Sequence, residues 1–86
     1  MKDLIREMTK NVATNIRKVR EHKHYTQDYL ATKLGISQNA YSKIELGYSK
    51  ISIDRLFNIA ILLEVEATVL LTTEAKDIIQ RISRKK

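Results

Sequence analysis

The sequence predicts an all-α fold: a compact bundle of five helices with one extra helix at the C-terminal end. Three observations carry that expectation. Proline is absent and only two glycines, Gly35 and Gly47, occur in 86 residues, so little in the chain breaks a helix. Apolar residues recur at three- and four-residue steps, the period of one helix face. Thr or Ser precedes several of these apolar runs and Gly closes two of them, as helix caps require.

The first helix is expected from about Asp3 to His22. Ile5, Met8, Val12, Ile16 and Val19 form its apolar stripe, while Asp3 at the start and Arg17, Lys18 and Arg20 toward the end suit the helix dipole. His22 to Tyr25 reads as a polar connector. Two loop histidines without a Cys or a carboxylate set do not make a zinc site, so no metal is expected. Thr26 caps a second helix over about 27–34, with Tyr29, Leu30 and Leu34 apolar and Ala31 small enough for another helix to cross. Gly35 is suited to end it in the left-handed conformation, and Ile36 turns into the core. Ser37 caps a third helix, Gln38 to about Leu46, whose Tyr41 and Ile44 face inward. Gly47 closes it, and Tyr48, Ser49 and Lys50 follow as a loop.

Ser52 opens a fourth helix, Ile53 to about Leu63, with Ile53, Leu56, Phe57, Ala60 and Leu63 on its apolar side. Ile59, Ile61 and Leu62 make this helix apolar nearly all round. A domain of this size cannot bury every face of such a helix, so part of it suits a partner chain. A short fifth helix is expected from Ala67 to Leu71. A sixth, from Glu74 to about Arg84 behind the cap Thr73, carries Ile78, Ile79 and Ile82 on one face and ends in basic residues.

Composition narrows the function classes. The length suits one domain, and 43% hydrophobic with 30% charged residues describes a globular chain. Without cysteine there is neither a disulfide framework nor a thiolate metal site. No apolar run is long enough to span a bilayer, and the first ten residues lack the apolar core of a signal peptide, so a cytoplasmic protein with no membrane partner is expected. No nucleophile–base set, carboxylate cluster or Gly-rich phosphate loop stands out, so no catalytic residue, no enzyme activity and no cofactor is expected. The net charge of +6 is unevenly spread. Residues 1–50 hold ten Lys/Arg against five Asp/Glu, residues 51–75 one against four, and residues 76–86 five against one. A basic first half backed by an acidic stretch suits a polyanion on one side of the molecule.

The most informative stretch is Thr26 to Gly47, TQDYLATKLGISQNAYSKIELG. Two short helices about a tight Gly turn form the unit that sets a helix into the DNA major groove. Gln38, Asn39, Ser42 and Lys43 lie on the outer side of the second of them. Asn and Gln bond adenine bidentately, and Lys donates to guanine O6 and N7. Any surface helix is polar outside; the turn geometry beside it is what gives this face meaning.

From Asn15 to Leu71, about two-thirds of the chain, the sequence resembles the Cro/C1-type (Xre) helix-turn-helix family of bacterial and phage regulators. The resemblance is carried by TQ opening the second helix, LA soon after, LGIS at the turn, YSKIE-x-G, and the apolar SIDRLFNIAILLEV. It implies a lambda repressor-like domain over residues 15–72; the N-terminal extension of the first helix (1–14) and the basic C-terminal helix (73–86), which is suited to dimerisation, lie outside the matching core. It also implies that Gln38, Asn39 and Lys43 reach base edges with Ser37 and Ser42 at the margin. Gln27, with Thr26, would hold a DNA phosphate, and Tyr48, Ser49 and Lys50 would lie along the backbone. Arg20 and Glu45 match a pair that bridges the first and third helices in relatives, and a largely buried ion pair is expected there. The implied function is a homodimeric regulator of transcription, a repressor on a pseudo-palindromic double-stranded operator. An antitoxin or a restriction–modification controller of the same fold, or an interaction module that has lost DNA binding, are the alternatives; a toxin or polymerase would then be the protein partner. The chain departs from the family at Glu64, where relatives favour Gly, at Ile51, where Pro is common, and at Tyr41, where a smaller aliphatic residue often packs.

Overall fold

A computed structural model describes residues 1–72 and, beyond them, Asp77, Gln80 and Ile82. Five helices follow one another: α1 (Lys2–His22), α2 (Gln27–Leu34), α3 (Gln38–Glu45), α4 (Ile53–Leu63) and α5 (Ala67–Thr72). No strand occurs among the described residues. The sixth helix expected over 74–84 lies largely outside them. Of its residues, Asp77, Gln80 and Ile82 are helical, and Ile82 packs half-buried against the core.

The caps that the sequence advertises set the helix boundaries. Thr26, Ser37 and Ser52 each accept a hydrogen bond from the backbone N–H three residues on, in Tyr29 (3.0 Å), Ala40 (3.1 Å) and Arg55 (3.1 Å). Such a bond satisfies one of the donors that every helix start leaves open, at about 1 kcal/mol each. Gly35 ends α2 at φ +72°, in the left-handed region that costs glycine nothing. Ile36 N–H then donates to the Ala31 carbonyl (3.0 Å), which fixes the angle between α2 and α3.

One core serves all five helices. Ile16 and Val19 of α1, Leu30 and Ala31 of α2, Tyr41 and Ile44 of α3, Leu56, Ile59, Ala60 and Leu63 of α4, and Leu70 of α5 are all buried in it. Asn15, buried in α1, donates Nδ2–H to the Leu70 carbonyl (2.8 Å) and so ties the first helix to the end of α5. Tyr41 has a fully buried ring, and its hydroxyl makes no hydrogen bond although it lies near Arg20 and Glu45.

Several expectations need correcting. The apolar stripe of α1 packs only from Val12 onward; Ile5 and Met8 remain more than half exposed, because the first turns run past the end of the core. In α4 the inward set is Leu56, Ile59, Ala60 and Leu63, with spacing of three and four. Ile53 and Phe57 lie outside it, exposed, and Ile59 lies inside. Tyr29 is 40% exposed and rests against Tyr25, with ring centroids 4.9 Å apart, rather than in the core. Helix α3 stops at Glu45, with Leu46 as its C-terminal cap.

Glu64 ends α4 at φ +61°. A non-glycine residue in this region carries steric strain of about 1 kcal/mol. Around it, Lys23 Nζ (3.3 Å) and the Tyr25 hydroxyl (3.4 Å) reach the Glu64 carboxylate at the exposed junction of two turns.

Candidate nucleic-acid interface

The α2–turn–α3 unit is held from behind by charge as well as by apolar packing. Glu45, on the last turn of α3, has a side chain only 1% accessible. Its carboxylate accepts from Arg20 Nε (2.6 Å) and Nη2 (3.1 Å) and from Gln27 Nε2 (3.1 Å). Arg20 uses Nη1 on the Tyr25 carbonyl (2.7 Å), in the connector before α2. One buried cluster therefore joins α1, the α1–α2 connector, the start of α2 and the end of α3. The hydrogen bond to Glu45 holds the Arg20 guanidinium above its usual pKa, overriding the opposing effect of burial. Burial likewise pushes the Tyr41 hydroxyl well above the usual phenol value, with the Glu45 charge adding to it.

With α3 fixed in this way, its outer side is presented to solvent. Gln38, Asn39 and Lys43 are exposed, Ser42 is half-buried, and Ser37 is exposed at the N-terminus, where its hydroxyl is engaged as the cap. Ser42 and Lys43 stand one turn after Gln38 and Asn39, so the four make one face about 7.5 Å long. None of the four carries a negative charge.

The residues expected along a DNA backbone fall into two groups. At the start of α2, Thr26 is exposed but its hydroxyl is engaged as the cap, and Gln27 is half-buried with its amide on Glu45. After α3, Tyr48 and Lys50 are exposed and Ser49 half-buried. The turn between Glu45 and Tyr48 is tight: Gly47 sits at φ +78°, and a side chain there would meet Lys10 Cγ at 3.4 Å. Sequence reasoning missed two features here. Gln27 belongs to the buried cluster, a bond between residues eighteen apart that no local pattern signals. Lys10, outside the stretch of resemblance, lies against the turn that follows α3.

No helix among the described residues is long and apolar enough to cross a membrane. A family model described as "Helix-turn-helix" matches residues 16–70 of the chain. The uncharacterized HTH-type transcriptional regulator YqaE of Bacillus subtilis (strain 168) is 38% identical over 63 residues, which cover 73% of this chain and 54% of YqaE. The chain thus spans about half the length of that relative. No solved structure matches.

Proposed function

The chain belongs to the helix-turn-helix family, of the Cro/C1 (Xre) type, and we propose that it is a sequence-specific double-stranded DNA-binding regulator of transcription, acting as a homodimeric repressor. The observation that carries this reading is the exposed, carboxylate-free face of α3, immobilised by a buried Arg20–Glu45–Gln27 cluster. Base readout needs a helix whose side chains are free and whose axis is not.

In this reading Gln38, Asn39 and Lys43 meet base edges in the major groove, with Ser37 and Ser42 at the margin, and each good contact gives about 1–3 kcal/mol of discrimination. The N-terminus of α2 meets a phosphate. Its first backbone N–H groups have no partner inside the helix and carry the positive end of the dipole. Gln27, bonded to Glu45 on one side, lends the phosphate its remaining amide hydrogen, and Thr26 lies beside it. Tyr48, Ser49 and Lys50 run along the neighbouring backbone, where they add affinity without sequence preference.

A single short α3 specifies few base pairs. Two copies about a two-fold axis read two half-sites about 34 Å apart, one turn of the duplex. Repression follows from occupancy: a dimer bound across a promoter excludes the polymerase. Selection from random duplexes tests this reading. It predicts recovered sites with two inverted half-sites centred ten to eleven base pairs apart; recovery of asymmetric or unrelated sequences would count against a dimeric reader.

A further inference from the structure

Helix α4 buries Leu56, Ile59, Ala60 and Leu63, yet it carries a second apolar stripe. Ile53, Phe57 and Ile61, one turn apart, are 68%, 51% and 72% exposed. Single exposed apolar residues are ordinary on a protein surface, but a continuous stripe is not. Ile53 also lines a mainly apolar groove of about 630 Å³, whose other walls include Ile5 of α1 and Leu71 of α5, both more than half exposed. Ile5 belongs to the turns of α1 that precede the residues matched by the family model, so the groove is built partly from a segment outside that match.

We propose that this face is where two copies of the chain associate, each placing Phe57 into the groove beside Ile5, Ile53 and Leu71 of the other. The inference deepens the proposed function, on whose dimeric reading it rests. Three observations select a second copy as the occupant. The protruding ring and the groove lie on the same face of one chain, one helical turn apart at Phe57 and Ile53, so a single two-fold axis satisfies both at once. Ile5, Ile53, Phe57, Ile61 and Leu71 each leave on the order of 100 Å² open, so with a polar rim the face approaches the ~800 Å² that one partner gives to a standard interface. None of Gln38, Asn39 and Lys43 lies on the groove, so association leaves the outer face of α3 free. The far rim of the groove is the loop of Tyr48, Ser49 and Lys50. Pairing therefore also braces the segment proposed to follow the DNA backbone.

Sedimentation equilibrium of the full chain tests the proposal. The wild type is expected at twice its 10.0 kDa chain mass, and Phe57→Glu at the single mass, with the dimer dissociation constant raised roughly 100-fold, as for loss of a central apolar anchor. Leu46→Glu, equally exposed but not among the residues that line the groove, is expected to remain dimeric. Because the chain has no cysteine, a second arm is clean: mixing Ile5→Cys and Phe57→Cys chains under oxidation is expected to give a covalent heterodimer. This arm decides the matter should Phe57→Glu fail to fold by circular dichroism. A monomeric wild type, a folded Phe57→Glu chain that sediments as the wild type does, or absence of the cross-link would overturn the proposal. A dimeric Phe57→Glu chain that still binds palindromic duplex would reject this face alone and leave the DNA-reading function standing.

Discussion

Replacing Arg20 with Ala would leave the Glu45 carboxylate in a site where its side chain is 1% accessible, with Gln27 as its one remaining donor among those described. Two charge-assisted hydrogen bonds disappear, at 2.6 and 3.1 Å, and with them the cation that offsets desolvation of the carboxylate. Breaking a buried pair from one side costs roughly 3–5 kcal/mol. For a domain whose total stability is about 5–15 kcal/mol, that is a large share. A loss of about 4 kcal/mol lowers Tm by roughly 15–30 °C at this chain length. Glu45→Ala should cost somewhat less, because the Arg20 side chain is 11% accessible and keeps the Tyr25 carbonyl. Substituting both, as Arg20→Met with Glu45→Leu, should cost less than the sum of the two singles, since no buried charge is then orphaned. Urea unfolding followed by circular dichroism provides all the terms of the cycle. Single-mutant losses below about 1 kcal/mol, the range of exposed pairs, would refute the reasoning.

Three further predictions concern other residues. Gln38→Ala and Lys43→Ala should each lower discrimination among duplexes by about 1–3 kcal/mol while leaving the thermal midpoint nearly unchanged, checked by competition binding and calorimetry. Tyr41→Phe removes a buried hydroxyl that has no hydrogen bond, so it should be neutral or stabilising by up to about 1 kcal/mol. It should also flatten the alkaline loss of stability. Because folding raises the Tyr41 pKa, the unfolded chain gives up this proton first, and stability falls above about pH 10 by about 1.4 kcal/mol per pH unit; urea titrations at pH 9 and 11 measure the difference between the two chains. Glu64→Gly relieves a left-handed residue at φ +61° and removes only exposed contacts to Lys23 and Tyr25, so a gain of about 1 kcal/mol is expected in the same unfolding assay.

The parts of the fold that were legible in the sequence are those set by local chemistry. Thr26, Ser37 and Ser52 each form the cap bond that a hydroxyl at a helix start predicts, and Gly35 takes the left-handed turn that glycine favours. The family resemblance added the likeness of Arg20 and Glu45 to a bridging pair, which spacing alone does not reveal. What stayed illegible depends on which neighbours exist. Helix α4 is apolar nearly all round, so its period had no polar minimum to orient it, and Ile59 rather than Ile53 or Phe57 fills the core. Ile5 and Met8 continue the stripe of α1 in sequence, but none of the described helices α2–α5 buries them. The sequence points the Gln27 side chain at phosphate alone, because its bond to Glu45 arises only once α2 and α3 are packed. The exposed polar face of α3 was readable as a pattern, whereas the sequence of bases it would select is not encoded in any one residue.

The most direct test of a DNA-reading function is fluorescence anisotropy of the full chain with a labelled duplex carrying the selected site, and with a scrambled duplex, from 50 to 300 mM salt. The regulator reading predicts tight binding to the selected duplex, at least ~10³-fold weaker binding to the scrambled one, and an affinity that falls steeply with salt on both as phosphate counterions are released. Binding to neither duplex at the lowest salt, or equal affinity for both, would contradict it.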